Sequence, residues 1–164
     1  MKGLKEWLPY LVIIIVVVLI RTFIVTPVRV KGDSMVPTLE NKEILLLQKW
    51  DQSYQRFDIV VVKYQNTKLV KRVVGLPSDH VAYQKGKLYI NDHEVKEDFD
   101  HGKTDDFKLE ELGYDTIPEG YYFVMGDNRT NSTDSRMIGL VSEKEMLGTT
   151  GFVLFPFQKF GKAK

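Results

Sequence analysis

The chain has 164 residues, with 23 Lys and Arg against 22 Asp and Glu, a formal charge of +1 and no cysteine. So even a balance argues against nucleic acid as a partner, and the missing cysteine excludes disulfides, thiolate–zinc centres and a thiol nucleophile. Any covalent catalysis would fall to Ser, Thr, Lys, Asp or Glu, within a length that suits one domain with a real core.

After a short charged start over 1–6, the stretch "WLPYLVIIIVVVLIRTFIV", Trp7 to Val25, is almost wholly apolar. As a helix it would be about 28 Å long, close to the roughly 30 Å hydrocarbon thickness of a bilayer, so it predicts a transmembrane anchor over 7–25. Arg21, near one end, can snorkel to the headgroups, and Trp7 and Tyr10 suit an aromatic belt at the other. A cleaved secretory leader shares these features, but "RTFIVTPVRVK" offers no small-x-small cleavage site, so the anchor is expected to be retained. Lys2 and Lys5 on one side and Arg21, Arg29 and Lys31 on the other leave its orientation open.

Next comes "VKGDSMVPTL", Val30 to Leu39, where Gly32, Asp33, Ser34 and Pro37 make a turn. Such a turn is either an ordinary surface bend or a platform that presents the Ser34 hydroxyl beside free backbone amides, as a serine nucleophile requires. Short β-branched runs follow at Glu43–Trp50, Asp58–Tyr64 and Lys68–Leu76 and read as strands. "HVAYQKGKLYINDHEV" reads as successive hairpins turning at Lys85-Gly86 and Asn91-Asp92. Residues 96–119 are charged and aperiodic and predict a surface excursion. Further strands are expected at Tyr121–Met125, Met137–Val141 and Thr149–Phe157, with a capping box at Ser142 and Glu145. Regularly spaced short strands imply a mostly β sandwich or barrel.

Three polar clusters interrupt these runs: "GDSM", "KLVKRVVGLPSD" and "GDNRTNSTDSR". Along the second, Leu69, Lys71 and Val73 share one strand face and Val70, Arg72 and Val74 the other, so one of the two cations meets apolar surroundings. Lys71 either guards an exposed edge or is buried. Burial lowers a lysine pKa, and from a reference value near 10.4, where about 0.04% is neutral at pH 7, a fall to about 8 raises that fraction to nearly 10%. Such an amine could take the Ser34 proton. His80, His93 and His101 lie in loop or hairpin sequence and read as surface residues. "DNRTNSTD" places Arg129 where a calcium loop needs an oxygen, so no metal site is expected there.

The order of the pieces, an apolar anchor followed by "GDSMVPTL", "KRVVGLPSD" and "GDNRTNSTDSRMIGLV", resembles the bacterial type I signal peptidases, in their short Gram-positive form. The resemblance runs from the anchor to "FVLFPF" and is weakest over 96–119. It implies a signal-peptidase-type antiparallel β domain on one N-terminal transmembrane helix, divided as a cytoplasmic 1–6, an anchor 7–25 and an extracytoplasmic catalytic domain 26–164. It also implies a membrane serine endopeptidase that removes signal peptides from exported preproteins, beside the secretion channel and against membrane lipid, with no cofactor. Ser34 is then the nucleophile and Lys71 the general base of an acyl-enzyme mechanism. Ser132 orients the amine, Asp134 and Arg136 form a supporting pair, and Asp127, Asn128 and Arg129 are framework, with Arg72 paired to Asp127. Substrate would lie extended between Pro27–Lys31 and Lys68–Lys71, with Met35, Pro37, Leu39 and Val70 as apolar pocket walls favouring small residues at −1 and −3. Some relatives carry an oxyanion-stabilising serine two residues before the nucleophile, where this chain has Gly32, and many have Asp where Thr130 stands. The alternative is a noncatalytic membrane-bound homologue that acts as a binding partner.

Overall fold

The structure is a computed structural model describing residues 2–19, 24–50 and 53–163. The chain opens with helix α1 (Lys2–Leu19), which contains Pro9. Its large apolar side chains from Trp7 to Leu19 are all exposed. Among the described residues no helix is long and apolar enough to cross a membrane. The segment expected as an anchor differs in its bounds: the helix starts at Lys2, residues 20–23 lie outside the described residues, and Val25 already belongs to a strand. The strand is set by pairing, since Val25 and Thr26 stand opposite Gln48 and Leu47 on the neighbouring strand, and Pro27 disfavours a helical backbone at Thr26.

Thirteen strands follow among the described residues. β1 (Val25–Arg29), β2 (Ile44–Gln48), β3 (Ile59–Tyr64) and β4 (Thr67–Gly75) precede β5 (Val81–Gln84), β6 (Lys87–Ile90), β7 (His93–Val95) and β8 (Phe107–Lys108). β9 (Tyr121–Met125), helix α2 (Ser135–Ile138), β10 (Val141–Ser142), β11 (Met146–Thr150), β12 (Phe152–Phe155) and β13 (Gly161–Lys162) complete the order. They build two antiparallel sheets, one running β10-β9-β4-β3-β11-β2-β12-β13 with β1 added on β2, the other β7-β6-β5-β8. The hairpins of the smaller sheet turn where expected: Lys85, Gly86, Asn91 and Asp92 all have positive φ, the backbone that two-residue turns between twisted strands demand.

β3 shows why the larger sheet is stable. Its alternate residues Ile59 and Val61 join one apolar cluster with Val28, Leu45 and Leu47, while Val60 and Val62 join another with Tyr54, Val73 and Val124. A strand covered on both faces reads as a continuous apolar run, and each valine so buried contributes roughly 1.5 kcal/mol or more. A third cluster, including Val74, Tyr83, Phe107, Ile117 and Phe123, ties the smaller sheet to the end of β4 and to β9.

Three readings of the sequence are corrected here. Residues 137–141 do not form one strand: Asp134 caps α2 by accepting from the Arg136 amide at 3.3 Å, and the helix stops at Gly139 before β10 begins. The run 96–119 is not merely a surface excursion, because Thr104, Phe107, Leu109 and Ile117 are buried and β8 pairs with β5. Its apolar residues are too sparse and uneven to show a period, yet Phe107, Leu109 and Ile117 are members of the third cluster. The strand expected over 149–157 is broken at Gly151 into β11 and β12.

Candidate active site

Ser34 lies in the turn between β1 and β2, and that turn is held from outside. The Asn128 backbone amide donates to the Ser34 carbonyl at 3.0 Å and its side-chain amide donates to the Asp33 carbonyl at 3.0 Å. Gly126, just beyond β9, packs so closely that a Cβ there would collide with the Ser34 carbonyl and the Ser132 side chain. Thus the polar loop 126–136 grips the serine turn through glycine, backbone and the neutral Asn128 side chain rather than through charge. Gly32 has φ +85°, a left-handed backbone that side chains rarely adopt. A hydroxyl donor two residues before Ser34 is therefore disfavoured by the turn itself. The Ser34 amide has no acceptor among the described residues.

Lys71 extends from the middle of β4, and only 1% of the residue is exposed. Its Nζ lies 2.7 Å from Ser34 Oγ and 3.0 Å from Ser132 Oγ. Burial lowers its pKa from 10.5 to about 8; Asp134 opposes the fall, Arg136 adds to it and Asp127 opposes it again. At pH 7 about 10% of such amines are neutral, against about 0.03% for one left at 10.5. Asp134 is buried, which resists its ionisation, but the Arg136 hydrogen bonds and charge outweigh this, aided by the Ser132 hydroxyl and the Gly126 amide. Its pKa ends below the ordinary carboxylate value. The polar chain then has one consistent sense: Asp134 accepts from Ser132, whose oxygen accepts from Lys71, whose lone pair is left to accept from Ser34.

Arg72, the next residue on β4, faces away and forks onto Asp127 at 2.8 and 2.6 Å, with the Phe57 carbonyl at 2.9 Å and the Phe99 ring 3.9 Å below. Arg136 forks onto Asp134 at 2.9 Å and donates to the Arg129 carbonyl at 2.7 Å. Arg129 is itself buried against Glu97, the Tyr83 hydroxyl at 3.0 Å and the Thr104 hydroxyl at 2.7 Å. Glu97, Phe99 and Thr104 went unremarked in the sequence. A buried arginine demands a carboxylate, but Glu97 stands among Glu94, Asp98 and Asp100 with nothing local to single it out.

Of the residues expected to wall a substrate pocket, Met35, Leu39 and Val70 lie in the first apolar cluster. Pro37 is exposed and lines a separate depression with Glu43 and Lys159. The three histidines stay apart from Ser34: His80 meets Glu110 at 3.1 Å, His93 the Asn91 carbonyl at 2.7 Å and His101 the Gly102 carbonyl at 2.8 Å. Thr130 is exposed, its hydroxyl 3.5 Å from the Asn128 side-chain oxygen. Between β1 and the start of β4 runs a groove of about 560 Å³, lined by Pro27, Val28, Arg29 and Lys31 on one side and residues 66–69 on the other. Both walls present open strand edges. Among the described residues β1 pairs only with β2, and β4 pairs with β9 only from Arg72 onward, leaving 67–71 unpaired on that side.

The geometry can move a proton from a hydroxyl to an amine beside a slot shaped for an extended chain. A family model described as "Signal peptidase, peptidase S26" matches residues 4–155. Signal peptidase I S of Bacillus subtilis strain 168 is 40% identical over 98% of this chain and 94% of its own, and signal peptidase I of Bacillus amyloliquefaciens is 39% identical over 99% and 94%. A crystal structure of a signal peptidase I from Enterococcus faecalis V583 superposes with a TM-score of 0.55 at 38% identity, covering 59% of this chain and 96% of that one. The chain belongs to the peptidase S26 family of signal peptidases.

Proposed function

We propose that the protein is a membrane-anchored type I signal peptidase, a serine endopeptidase with a serine–lysine pair that cleaves signal peptides from exported preproteins. The observation that carries this reading is the 2.7 Å contact between Ser34 Oγ and a buried Lys71 amine whose pKa is lowered to about 8. Ser34 attacks the carbonyl carbon of the −1 residue as its proton passes to Lys71. The oxyanion meets the Ser34 amide. Collapse breaks the peptide bond, the leaving amine takes the proton back from Lys71, and an ester to Ser34 remains. Water then attacks that ester while Lys71 again accepts and returns a proton, releasing the acid and the free serine.

Ser132 keeps the lone pair of Lys71 on Ser34 by accepting one of its N–H bonds, and the ion pairs of Asp134 with Arg136 and of Asp127 with Arg72 hold the loop that carries it. The substrate lies in the groove between β1 and β4 as an added strand, its main chain bonded to the two open edges. Met35, Leu39 and Val70 back the slot from the apolar cluster and leave room only for small side chains at −1 and −3. The anchor is the apolar run that begins at Trp7 and ends before β1, placing 1–6 in the cytoplasm and the β domain from Val25 onward outside. From Val25 to Ser34 the chain can stretch at most about 32 Å, so the site works near the bilayer surface, where a preprotein beside the secretion channel would emerge.

Cleavage of a purified preprotein in detergent tests this. Ser34→Ala and Lys71→Met should each abolish cleavage with an unchanged circular dichroism spectrum. Undiminished turnover by either variant refutes the pair, and inactivity of the unaltered chain favours a binding partner.

A further inference from the structure

The formal charge of +1 conceals a strong separation. Eleven of the 22 acidic residues fall between Asp92 and Glu119, against three lysines. These residues belong to the smaller sheet and its extensions, which join the larger sheet at the Gly75 end of β4. The Thr67 end of that strand lies eight residue steps, about 26 Å, away, and here the picture inverts.

Two grooves meet at this end and share Lys68. One is the groove between β1 and β4, bordered by Arg29 and Lys31; the other, about 400 Å³, is lined by Thr26, Lys49, Lys63 and Lys68. Among the described residues no carboxylate lines either groove. Lys63 and Lys68 stand directly opposite one another across β3 and β4, a like-charge juxtaposition that is unfavourable unless an anion lies between. Arg29, Lys31, Lys63 and Lys68 are exposed, and none of the four makes an ion pair with a described carboxylate. The chain also says where this end sits. Thr26 and Pro27, which open the two grooves, follow the exposed apolar helix α1 by seven and eight residues, so they lie within about 28 Å of its end even if the link is fully extended.

We propose that the second groove and the basic rim beside it form a docking surface for the anionic phospholipid headgroups of the bilayer that holds the N-terminal helix, with Lys63 and Lys68 clasping a phosphate and Lys49, Arg29 and Lys31 extending the contact, while the slot between β1 and β4 stays open for substrate. The proposal rests on the membrane-anchored reading above. It sets the tilt of the catalytic domain: basic groove and rim down on the membrane, acid-rich sheet up and repelled from it, and the slot between β1 and β4 held along the surface and open to substrate. Each lysine near an anionic surface gains enough to slow its modification about fivefold, an effect that salt screens.

The full chain is reconstituted in nanodiscs of phosphatidylcholine alone or with phosphatidylglycerol, and the acetylation rate of each lysine is read by mass spectrometry. Phosphatidylglycerol should slow Lys31, Lys63 and Lys68 about fivefold, leave Lys85, Lys87 and Lys103 of the acid-rich part unchanged, and lose its effect at high salt. The exposed double change Lys63→Gln and Lys68→Gln should also weaken the protection of Lys31. Rates independent of lipid charge, with the chain still in the discs, overturn the docking surface and leave the anchored reading intact, whereas failure to enter either disc sinks both. Equal protection in phosphatidylcholine discs by free glycerol phosphate, or by an acidic peptide, overturns the bilayer as the occupant.

Discussion

Replacing Lys71 by Met should make the protein inactive and, at neutral pH, more stable. The lysine has a pKa of about 8 in the fold against 10.5 in its ordinary state. The unfolded chain therefore binds the proton more tightly, and folding at pH 7 pays for stripping or burying it. Because the folded value is the lower one, this cost is fully present below pH 8 and disappears as pH rises from 8 to 10.5. That difference corresponds to about 3 kcal/mol at pH 7, falling to a few tenths of a kcal/mol at pH 10.5. The residue is 1% exposed, so solvent screening does not erode the figure. Against it stand the contacts to Ser34 and Ser132, whose loss costs roughly 1 kcal/mol each, a term that does not vary over this range. Urea unfolding of the full chain and of Lys71→Met, in detergent at pH 7, 9 and 10.5, measures the difference. The variant should lead by about 1 kcal/mol or more at pH 7 and lose about 3 kcal/mol of relative stability by pH 10.5. A difference that stays constant with pH would refute a buried, perturbed amine.

The same amine should govern activity, so kcat/KM for preprotein cleavage should rise with pH to a midpoint near 8 and lose that limb only when Lys71 is changed; a flat profile between pH 6 and 9 contradicts it. Gly126→Ala should lower kcat on the order of 100-fold, since the new methyl must displace the Ser34 carbonyl or Ser132 by up to about an ångström, whereas activity within a factor of three of the unaltered enzyme would show that the loop yields easily. Glu97→Ala leaves the buried Arg129 without its carboxylate and should destabilise the fold by about 3 to 5 kcal/mol, measured by urea unfolding.

What the sequence disclosed follows from the range of each signal. Alternation within β3 and β4 and the turn pairs Lys85-Gly86 and Asn91-Asp92 are local, and the strands and hairpins they predict are present with boundaries shifted by a residue or two. α2 was legible in principle through its Asp134 cap and Gly139 stop, but the apolar "MIGLV" spoke more loudly for a strand than four residues could for a helix. The clamp on Arg129 could not be read at all. Glu97, Tyr83 and Thr104 converge on it from 32, 46 and 25 residues away, and their neighbours in sequence are equally polar or equally charged. Long-range compensation of a buried charge leaves no local period.

β4 shows how closely the site depends on a strand's two-residue repeat. Adjacent cations on one strand must point to opposite faces, and here both faces are closed, so neither charge can be left to water. The two are handled differently because their chemistry differs. A guanidinium does not give up its proton, and Arg72 is neutralised by a bidentate carboxylate, Asp127, with Phe99 beneath it. An ammonium can give it up, and Lys71 is instead set between two hydroxyls, with Asp134 turned toward Arg136. Exchanging the two residues would put an unyielding charge against Ser34 and a titrating amine on a carboxylate that would hold it protonated. The order Lys-Arg, and not merely the presence of two basic residues, is therefore what leaves a base free to act beside the serine.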